Sequence, residues 1–385
     1  MATRTRRVVI LVCDGLGVGA APDAEAYGDS GADTLGHVLE RCPVALPHLE
    51  DLGLMSLVGR GRSRGARGRM AEASAGKDST TGHWEMMGLV LEHPFPLYPK
   101  GFPLDVVGPF EQYLGKKVLG NKAASGTAIL DELGAEHLAT GRPILYTSGD
   151  SVFQVAAHEE IWPPERLWEA CRFARGLLTG PHRVGRVIAR PFTGQPGNFR
   201  RTANRRDFSV EPIGETWLDR LVAAGRRVFG VGKIVDIFAG RGLTDSAHTG
   251  SDAEGLSVTT EQVRSGDWDC VVTNLVDFDS KYGHRNDPAG FARALALLDG
   301  GMPGLLAALR PDDIFLLTGD HGCETTDIST DHTRECVPLL AAGPRLRRDV
   351  DLGIRSSFCD LSATAGEFLG VPAPRGESAL GRLLA

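Results

Sequence analysis

Residues 7–14, RVVILVCD, decide the fold class, because six apolar side chains in a row are followed by an acidic one. A run this short and this rich in β-branched residues predicts a strand buried on both faces, as found in parallel sheets covered by helices. Three further segments have the same character: RRVFGVGK (226–233), DCVVTNLVDFD (269–279) and DDIFLLTGD (312–320). The sequence therefore predicts an α/β protein with a mostly parallel sheet between helices.

The length of the chain and its net charge limit the number of domains and the classes of binding partner that we expect. A chain of 385 residues exceeds what one hydrophobic core usually organises, which favours a large domain with an insertion or two domains. The net charge of −7 argues against a nucleic acid or an anionic membrane surface as partner. No apolar run approaches the roughly 18 residues of a membrane span. We expect small-molecule partners and a monomer.

The cysteines and the start of the chain bear on the compartment. Seven cysteines, an odd number without a C-x-x-C pair, favour reduced thiols in a cytoplasm over disulfides or a thiolate zinc site. The opening MATRTRRVVILVCDG has a basic beginning, but its apolar run is too short for a signal peptide and no small-residue cleavage site follows. We interpret it as the lead into the first strand.

Two regions rich in proline and glycine interrupt the strand and helix pattern. The stretch 93–103, HPFPLYPKGFP, contains four prolines, and 190–212, RPFTGQPGNFRRTANRRDFSVEP, is similarly loop-like. Such density breaks helices and strands, so both stretches are candidate hinges. We expect an inserted cap domain at 96–214 and a discontinuous core made of 1–95 and 215–385.

The expected cap contains both kinds of regular structure. Its helix candidates are VVGPFEQYLGKKV (106–118) and PPERLWEACRFARGLL (163–178), and its strand candidates are PILYTSGD (143–150) and VGRVIARPF (184–192). This mixture predicts a smaller α/β cap. In the core, the arginine-rich stretch 59–69, GRGRSRGARGR, predicts a solvated loop.

Carboxylates and histidines follow three of the predicted core strands. They are Asp14, Asp279, His284, Asp320, His321 and His332. Alone, an Asp before Gly is usually a turn former, and a single His is usually a surface or core residue. Together, at the edge where open α/β sheets bind ligands, they match the needs of two divalent cations. Carboxylate and imidazole suit manganese or zinc, and the set contains no thiolate.

The stretch 76–85, GKDSTTGHWE, places three hydroxyl side chains in a row. One interpretation is a helix N-cap, with Asp78 or Ser79 as the capping residue. The other is a nucleophile, because a hydroxyl beside two cations could accept a phosphoryl group and return it. From these residues alone, both interpretations stay open.

Eight segments closely resemble the prokaryotic phosphopentomutases of the alkaline phosphatase superfamily. They are GKDSTTGHWEMMG (76–88), GNKAASGTAILDELG (120–134), YTSGDSVFQVAAHEE (146–160), VGRVIARPF with PGNFRRTANRRDFSV (184–192 and 196–210), NLVDFDSKYGHRNDP (274–288), and TGDHG with TDHTRE (318–322 and 330–335). The resemblance runs from Arg7 to the C-terminus and includes the cap. It implies an alkaline-phosphatase-like core.

The resemblance also implies roles for the candidate ligands. One cation would be held by Asp14, Asp320 and His321, and the other by Asp279, His284 and His332, with manganese as the expected metal. The phosphorylated hydroxyl directly follows the Asp of K-D-x-x-T-G-H, which here is Ser79, at a position usually occupied by Thr. The similar cofactor-independent phosphoglycerate mutases carry Ser in N-S-x-x-G-H.

The implied reaction interconverts α-D-ribose 1-phosphate, or its 2-deoxy analogue, and the 5-phosphate. It would pass through a phosphoserine and a bisphosphate, with pentose 1,5-bisphosphate or glucose 1,6-bisphosphate as activator and nucleoside salvage as the pathway. We expect Arg190, Arg201 and Lys233 to hold the substrate phosphate. Ser148 and Asp150 resemble the positions that contact the ribose.

Two other classes of function remain open from the sequence. A phosphatase or a phosphoglycerate-type mutase of the same superfamily would use the same cations. A non-catalytic binding protein would keep the fold without the chemistry.

Overall fold

The computed structural model describes residues 6–384, so residues 1–5 and 385, at the ends of the predicted core, lie outside it. Its strands in chain order are β1 (Arg7–Cys13), β2 (Ala66–Met70), β3 (Leu119–Ala123), β4 (Ile144–Thr147), β5 (Val152–His158), β6 (Arg186–Thr193), β7 (Arg200–Arg201), β8 (Arg206–Ser209), β9 (Val228–Val231), β10 (Asp245–Ala247), β11 (Cys270–Leu275), β12 (Asp313–Gly319), β13 (Val337–Ala342) and β14 (Val350–Arg355).

The α-helices in chain order are α1 (Thr34–Arg41), α2 (Pro47–Leu52), α3 (Ser79–Met86), α4 (Leu104–Leu114), α5 (Ala128–Thr140), α6 (Pro164–Leu177), α7 (Trp217–Ala223), α8 (Ile234–Ile237), α9 (Asp252–Ser265), α10 (Pro288–Leu306), α11 (Cys359–Leu369) and α12 (Leu380–Leu383). Among the described residues, no helix is both long enough and apolar enough to cross a membrane.

The described chain divides into two compact units. The core unit runs up to Pro94 and resumes at Pro212, and the inserted unit is Phe95–Glu211. Each unit has its own sheet.

The core sheet has eight strands in the order β10-β9-β11-β1-β12-β13-β2-β14. The strands from β10 to β12 pair in parallel, whereas β13 runs antiparallel to both its neighbours. Every residue of β1, β11 and β12 is buried, which explains why their sequences are continuously apolar instead of alternating. The predicted α/β class, the parallel sheet and its four strands are confirmed.

The arginine-rich stretch 59–69 was wrongly predicted as a loop throughout. Its last four residues belong to β2, which pairs with β13 and β14. Burial alternates along β2, so Ala66, Gly68 and Met70 face inward while the intervening arginines are half-buried. A Cβ at Gly68 would lie 2.8 Å from the carbonyl oxygen of Gly353, so the strand is tightly packed there.

The inserted unit holds a six-stranded mixed sheet, ordered β3-β4-β5-β6-β7, with β8 also paired to β6. Helices α4 and α6 pack on it through apolar residues such as Phe110, Phe153 and Leu167, each fully buried. The prediction of 190–212 as a loop was wrong in part. It contains the end of β6 and two short strands, β7 and β8, which pair antiparallel with β6.

Candidate metal centre

Sheet topology brings the predicted ligands of the core unit to one edge. Strand β1 lies between β11 and β12 and runs parallel to both, so the three strands end together. Asp14 directly follows β1, and Asp320 directly follows β12. Asp279 lies in a short π-helical turn, Phe278–Tyr282, just after β11. The edge predicted from the three strand endings therefore exists.

One group of ligand atoms comes from Asp14, Asp320 and His321, whose candidate ligand atoms lie within 4.8 Å of one another. The His321 Nε2 atom is 3.3 Å from Asp14 Oδ1 and 3.6 Å from Asp320 Oδ2. All three side chains are buried, with at most 1% of each residue exposed.

A second group is built around Asp279. Its Oδ1 atom is 3.3 Å from His284 Nε2 and 3.4 Å from His332 Nε2, and the two imidazole nitrogens are 3.2 Å apart. Ligands bound to one cation at about 2.0–2.2 Å have similar mutual separations. Two imidazole lone pairs this close repel each other unless a proton or a cation lies between them.

Backbone carbonyls fix the orientation of all three histidine rings. His321 Nδ1 is 2.9 Å from the carbonyl oxygen of Gly322, His284 Nδ1 is 2.7 Å from that of Thr330, and His332 Nδ1 is 3.0 Å from that of Lys77. A carbonyl only accepts, so each Nδ1 carries the proton. Each Nε2 atom then faces the carboxylates, which is the usual orientation of a histidine that binds a metal.

The site holds more negative than positive charge. Burial opposes ionisation of Asp14, but Lys233, whose Nζ lies 3.0 Å from Asp14 Oδ2, outweighs it together with His321 and keeps the pKa of Asp14 well below its usual range. Burial likewise disfavours a charged His321, yet the surrounding carboxylates raise its pKa to about 10. Asp320 Oδ2 is buried and accepts no hydrogen bond from the described residues. A set of hard oxygen and imidazole donors short of positive charge fits divalent cations.

Ser79 lies against this cluster at the first turn of α3. Its Oγ atom is 3.2 Å from Asp14 Oδ1, to which it donates, and 3.1 Å from His321 Nε2. The preceding Asp78 caps the helix by accepting from the backbone N–H groups of Thr80 and Thr81, both at 3.1 Å. Capping by Asp78 and a nucleophilic role for Ser79 are therefore compatible.

Gly82 lets α3 approach the sheet edge closely. A Cβ at this position would overlap the carbonyl oxygen of Asp320 and lie 2.9 Å from its carbonyl carbon. The backbone of α3 thus rests directly on the segment that carries two of the candidate ligands.

Two residues that were not predicted as ligands or nucleophile also contact the site. His83 is fully buried, and its Nδ1 lies 2.8 Å from the carbonyl oxygen of Ser79 and 3.2 Å from Asp320 Oδ2. Asn274, at the end of β11, donates to Asp14 Oδ2 at 3.2 Å. Both lie in motifs that carry the family resemblance, but their contacts with Asp320 and Asp14 span about 240 to 260 positions of sequence and leave no local pattern.

Cys323 is a further residue that the sequence did not indicate. Its Sγ donates to Asp279 Oδ1 at 3.7 Å, and with Asp279 and His284 it forms a third group of candidate ligand atoms within 4.8 Å. A thiol therefore lies beside the predicted ligands. Burial raises the pKa of Cys323 well above its ordinary value, so this side chain is a neutral thiol in the structure.

Four predicted contact residues lie in the inserted unit. Arg190 donates from Nε to Gln154 Oε1 at 2.6 Å, and burial lowers the pKa of its guanidinium. Arg201 is exposed on β7. Ser148 is half-buried, and the exposed Asp150 lies 3.6 Å from Arg186. Ser148 and Asp150 lie between β4 and β5, beside the start of β6, whereas Arg201 pairs with Phe192 near the end of β6. The structure therefore does not bring all four residues to one end of the sheet.

Comparisons with known proteins agree along nearly the whole chain. Residues 6–373 match the family model of the metalloenzyme superfamily. The phosphopentomutase of Caldanaerobacter subterraneus is 53% identical over 372 residues, covering 95% of both chains. The phosphopentomutase of Carboxydothermus hydrogenoformans is 53% identical over 385 residues, covering 98% of this chain and 99% of the other.

Solved structures add evidence about the fold. The phosphoglycerate mutase of Leishmania mexicana superposes with a TM-score of 0.51 over 98% of each chain, at 13% sequence identity. At this identity the likeness concerns the fold alone, and it confirms the alkaline-phosphatase-like core expected from the sequence. On the sequence identity to its curated relatives, the chain belongs to the phosphopentomutase family of the metalloenzyme superfamily.

Proposed function

We propose that this enzyme interconverts α-D-ribose 1-phosphate, or 2-deoxyribose 1-phosphate, and the corresponding 5-phosphate, with Ser79 as the phosphoryl carrier. One observation carries the proposal: the Ser79 Oγ lies within hydrogen-bond distance of both Asp14 and His321 at the start of α3. The relatives named phosphopentomutase support the same reaction.

The six candidate ligands are proposed to hold two divalent cations, with Mn²⁺ as the metal. Asp14, Asp320 and His321 would form one site, and Asp279, His284 and His332 the other. Bound there, the cations would neutralise charge on the phosphoryl oxygens and favour ionisation of the Ser79 hydroxyl. The carboxylate and imidazole donors suit manganese or zinc, and the family resemblance favours manganese.

The chain's own groups account for how a phosphoryl group would be held. In the resting enzyme Ser79 carries it as a phosphoserine. The dipole of α3, positive at the end where Ser79 lies, favours negative charge beside Ser79. Lys233, 3.0 Å from Asp14, adds a positive charge at the same place.

The proposed cycle transfers one phosphoryl group in each direction. The free hydroxyl of a bound sugar monophosphate attacks the phosphorus, loses its proton, and forms a bisphosphate as the bond to Ser79 Oγ breaks. Ser79 Oγ then attacks the other phosphate of the reoriented bisphosphate and restores the phosphoserine, and the departing sugar oxygen regains a proton. The cycle is balanced, because no phosphate is gained or lost.

Recognition of the sugar phosphate is assigned to the basic and the polar residues that were predicted from the sequence. Arg190 and Arg201 would bind the phosphate that is not reacting, and Ser148 and Asp150 would hydrogen-bond sugar hydroxyls. Lys233, predicted with the two arginines, lies beside Asp14 and is proposed to act on the reacting phosphoryl group instead. A pentose 1,5-bisphosphate or glucose 1,6-bisphosphate would act as activator, because an unphosphorylated enzyme cannot start the cycle.

The cellular setting is proposed from the same chemistry. All seven cysteines are free, which supports a reducing compartment such as the cytoplasm. Interconversion of pentose 1- and 5-phosphates would serve nucleoside salvage. We propose a monomer that acts on small sugar phosphates and binds neither nucleic acid nor membrane.

The test is the mass of the intact protein, first freed of any phosphoryl group, before and after incubation with ribose 1,5-bisphosphate. Wild type and Thr80→Ala should both gain roughly 80 Da, one phosphoryl group, and should both isomerise ribose 1-phosphate. Ser79→Ala should do neither. A phosphoryl gain that persists in Ser79→Ala would refute the assignment of Ser79. Release of inorganic phosphate at the rate of sugar phosphate loss would show a phosphatase instead.

A further inference from the structure

The segment that leads into the proposed nucleophile has an irregular backbone. Residues 72–78 connect β2 to α3 and belong to no strand or helix. Buried backbone N–H and C=O groups need hydrogen-bond partners, and residues 72–78 have no regular helix or sheet hydrogen bonds to supply them. Two buried charged side chains, Arg334 and Glu85, supply many of these partners.

The guanidinium of Arg334 donates hydrogen bonds to three backbone carbonyls of the segment. Its Nη1 donates to the carbonyl oxygens of Ser74 at 2.9 Å and Gly76 at 2.6 Å, and its Nη2 donates to that of Glu72 at 2.7 Å. The Arg334 side chain is only 2% exposed. The segment therefore wraps around a buried positive charge.

The carboxylate of Glu85 binds the N–H groups of the same segment. It accepts from the backbone N–H of Ala73 at 2.9 Å and from that of Ser74 at 2.6 Å. It also accepts from the backbone N–H of Phe358 at 2.9 Å, just before α11. Glu85 lies on α3, the helix that begins with Ser79, and is fully buried.

Arg334 is itself fixed by acidic groups. Its Nε and Nη2 bind the carboxylate of Asp23, and its Nη1 binds Glu72 Oε2 at 2.7 Å. Its backbone N–H donates to Asp29, which also binds the Lys77 ammonium at 2.9 Å. The guanidinium thus has one defined orientation.

The same stretch of chain also carries a candidate cation ligand. His332, two residues before Arg334, has its Nδ1 3.0 Å from the carbonyl oxygen of Lys77. Contacts from His332 and Arg334 therefore fix Lys77 and Gly76, the residues just before Asp78 and Ser79. Movement at Arg334 would shift the hydroxyl and a ligand relative to each other.

We propose that Arg334 is a positioning residue for phosphoryl transfer: its three bonds to the carbonyls of Glu72, Ser74 and Gly76 aim Ser79 at the carboxylate and histidine cluster. This inference rests on the proposed role of Ser79. A planar guanidinium with five donors suits three carbonyls at fixed positions, whereas a lysine ammonium does not reproduce that geometry. Arg334 acts through the backbone and does not touch the sugar phosphate.

Arg334→Lys keeps the positive charge but loses the planar set of guanidinium donors, so it should misplace Ser79 without unfolding the enzyme. We expect kcat to fall by about tenfold to a hundredfold, the cost typical of small misplacements of reacting groups. KM should change little. Inorganic phosphate released per isomerisation should rise, because a misdirected phosphoserine is transferred to sugar more slowly and meets water more often.

Arg7→Lys is the matched control. Arg7 is 3% exposed and donates from Nε to the buried Asp313 at 3.0 Å, but it lies at the start of β1, at the opposite edge of the core sheet. It should lower thermal stability as Arg334→Lys does, while kcat and phosphate release stay at wild-type values. Equal stability losses with unchanged kcat and phosphate release in both variants would overturn the proposal.

A milder variant covers the case in which Arg334→Lys does not fold. Asp23 is half-exposed and orients the guanidinium, so Asp23→Asn should lower kcat by about fivefold, the cost of weakening one charged hydrogen bond, again with KM unchanged. Wild-type kcat in Asp23→Asn would then count against the proposal. Ser79→Ala is measured in parallel: phosphorylation that persists in it refutes Ser79 as carrier, independently of the Arg334 result.

Discussion

Replacing Gly82 with alanine should impair catalysis more than it impairs stability. A Cβ at Gly82 would overlap the carbonyl oxygen of Asp320, and real Cβ atoms essentially never come within 3.0 Å of such an atom. The obstacle is backbone at a buried sheet edge and cannot rotate away. Helix α3 therefore has to move away from the edge by about 1 Å, a shift of the size that costs about a hundredfold in rate.

Two opposing terms set the change in stability. Alanine favours a helix over glycine by about 1 kcal/mol, whereas overpacking a close contact costs about 1–3 kcal/mol. We expect the free energy of unfolding of Gly82→Ala to fall by about 1 kcal/mol or somewhat more. Because the protein retains most of its stability, the loss of kcat reports the position of Ser79.

The measurement combines urea unfolding, followed by circular dichroism, with steady-state isomerisation of ribose 1-phosphate in the same Mn²⁺ buffer. Gly300→Ala is the control, because Gly300 lies in the exposed face of α10 and a Cβ there would have no atom within 4 Å. This variant should gain about 0.5–1 kcal/mol of stability and keep its kcat. A Gly82→Ala enzyme with wild-type kcat would refute the close approach of α3 to Asp320.

Three further predictions concern charge. Chelating divalent cations with EDTA should abolish isomerisation and lower the free energy of unfolding by about 2–3 kcal/mol, as a melting curve with and without added Mn²⁺ would show; an unchanged melting curve would argue against bound cations. Lys233→Met removes the ammonium beside Asp14 and should lower kcat/KM about tenfold or more, measured by steady-state kinetics; wild-type kcat/KM would exclude this role. Burial raises the pKa of Asp252 to about 7, so between about pH 4 and pH 7 the folded chain keeps a proton that the unfolded chain releases, and stability falls as pH rises. Asp252→Asn should flatten that fall in urea titrations of cation-free protein, and an unaltered slope would contradict it.

The four core strands could be predicted because each is buried on both faces. Such strands need continuous apolar sequence, and that signal is local. Strand β2 was missed because its inward residues, Ala66, Gly68 and Met70, alternate with arginine and include a glycine. Its pairing with β13 and β14 comes from more than 260 residues later in the chain, so no local pattern reveals it.

The candidate ligands were foreseeable for the same topological reason. Three parallel neighbouring strands end together, so acidic residues after each of them must meet. The residues that orient them could not be foreseen. Arg334, Glu85 and Asn274 act through bonds to backbone or to single distant carboxylates, and such contacts leave no periodicity or spacing in the sequence.

The position of β1 at the centre of the core sheet has a consequence during synthesis. Its neighbours β11 and β12 begin at Cys270 and Asp313, so on a ribosome making about 5–20 residues per second β1 waits on the order of tens of seconds for a partner. The strands of the inserted unit, by contrast, all come from one contiguous stretch of the chain, 119–209. The inserted unit can therefore fold before the core sheet is complete. During that time β1, an apolar strand, remains unpaired and can bind chaperones.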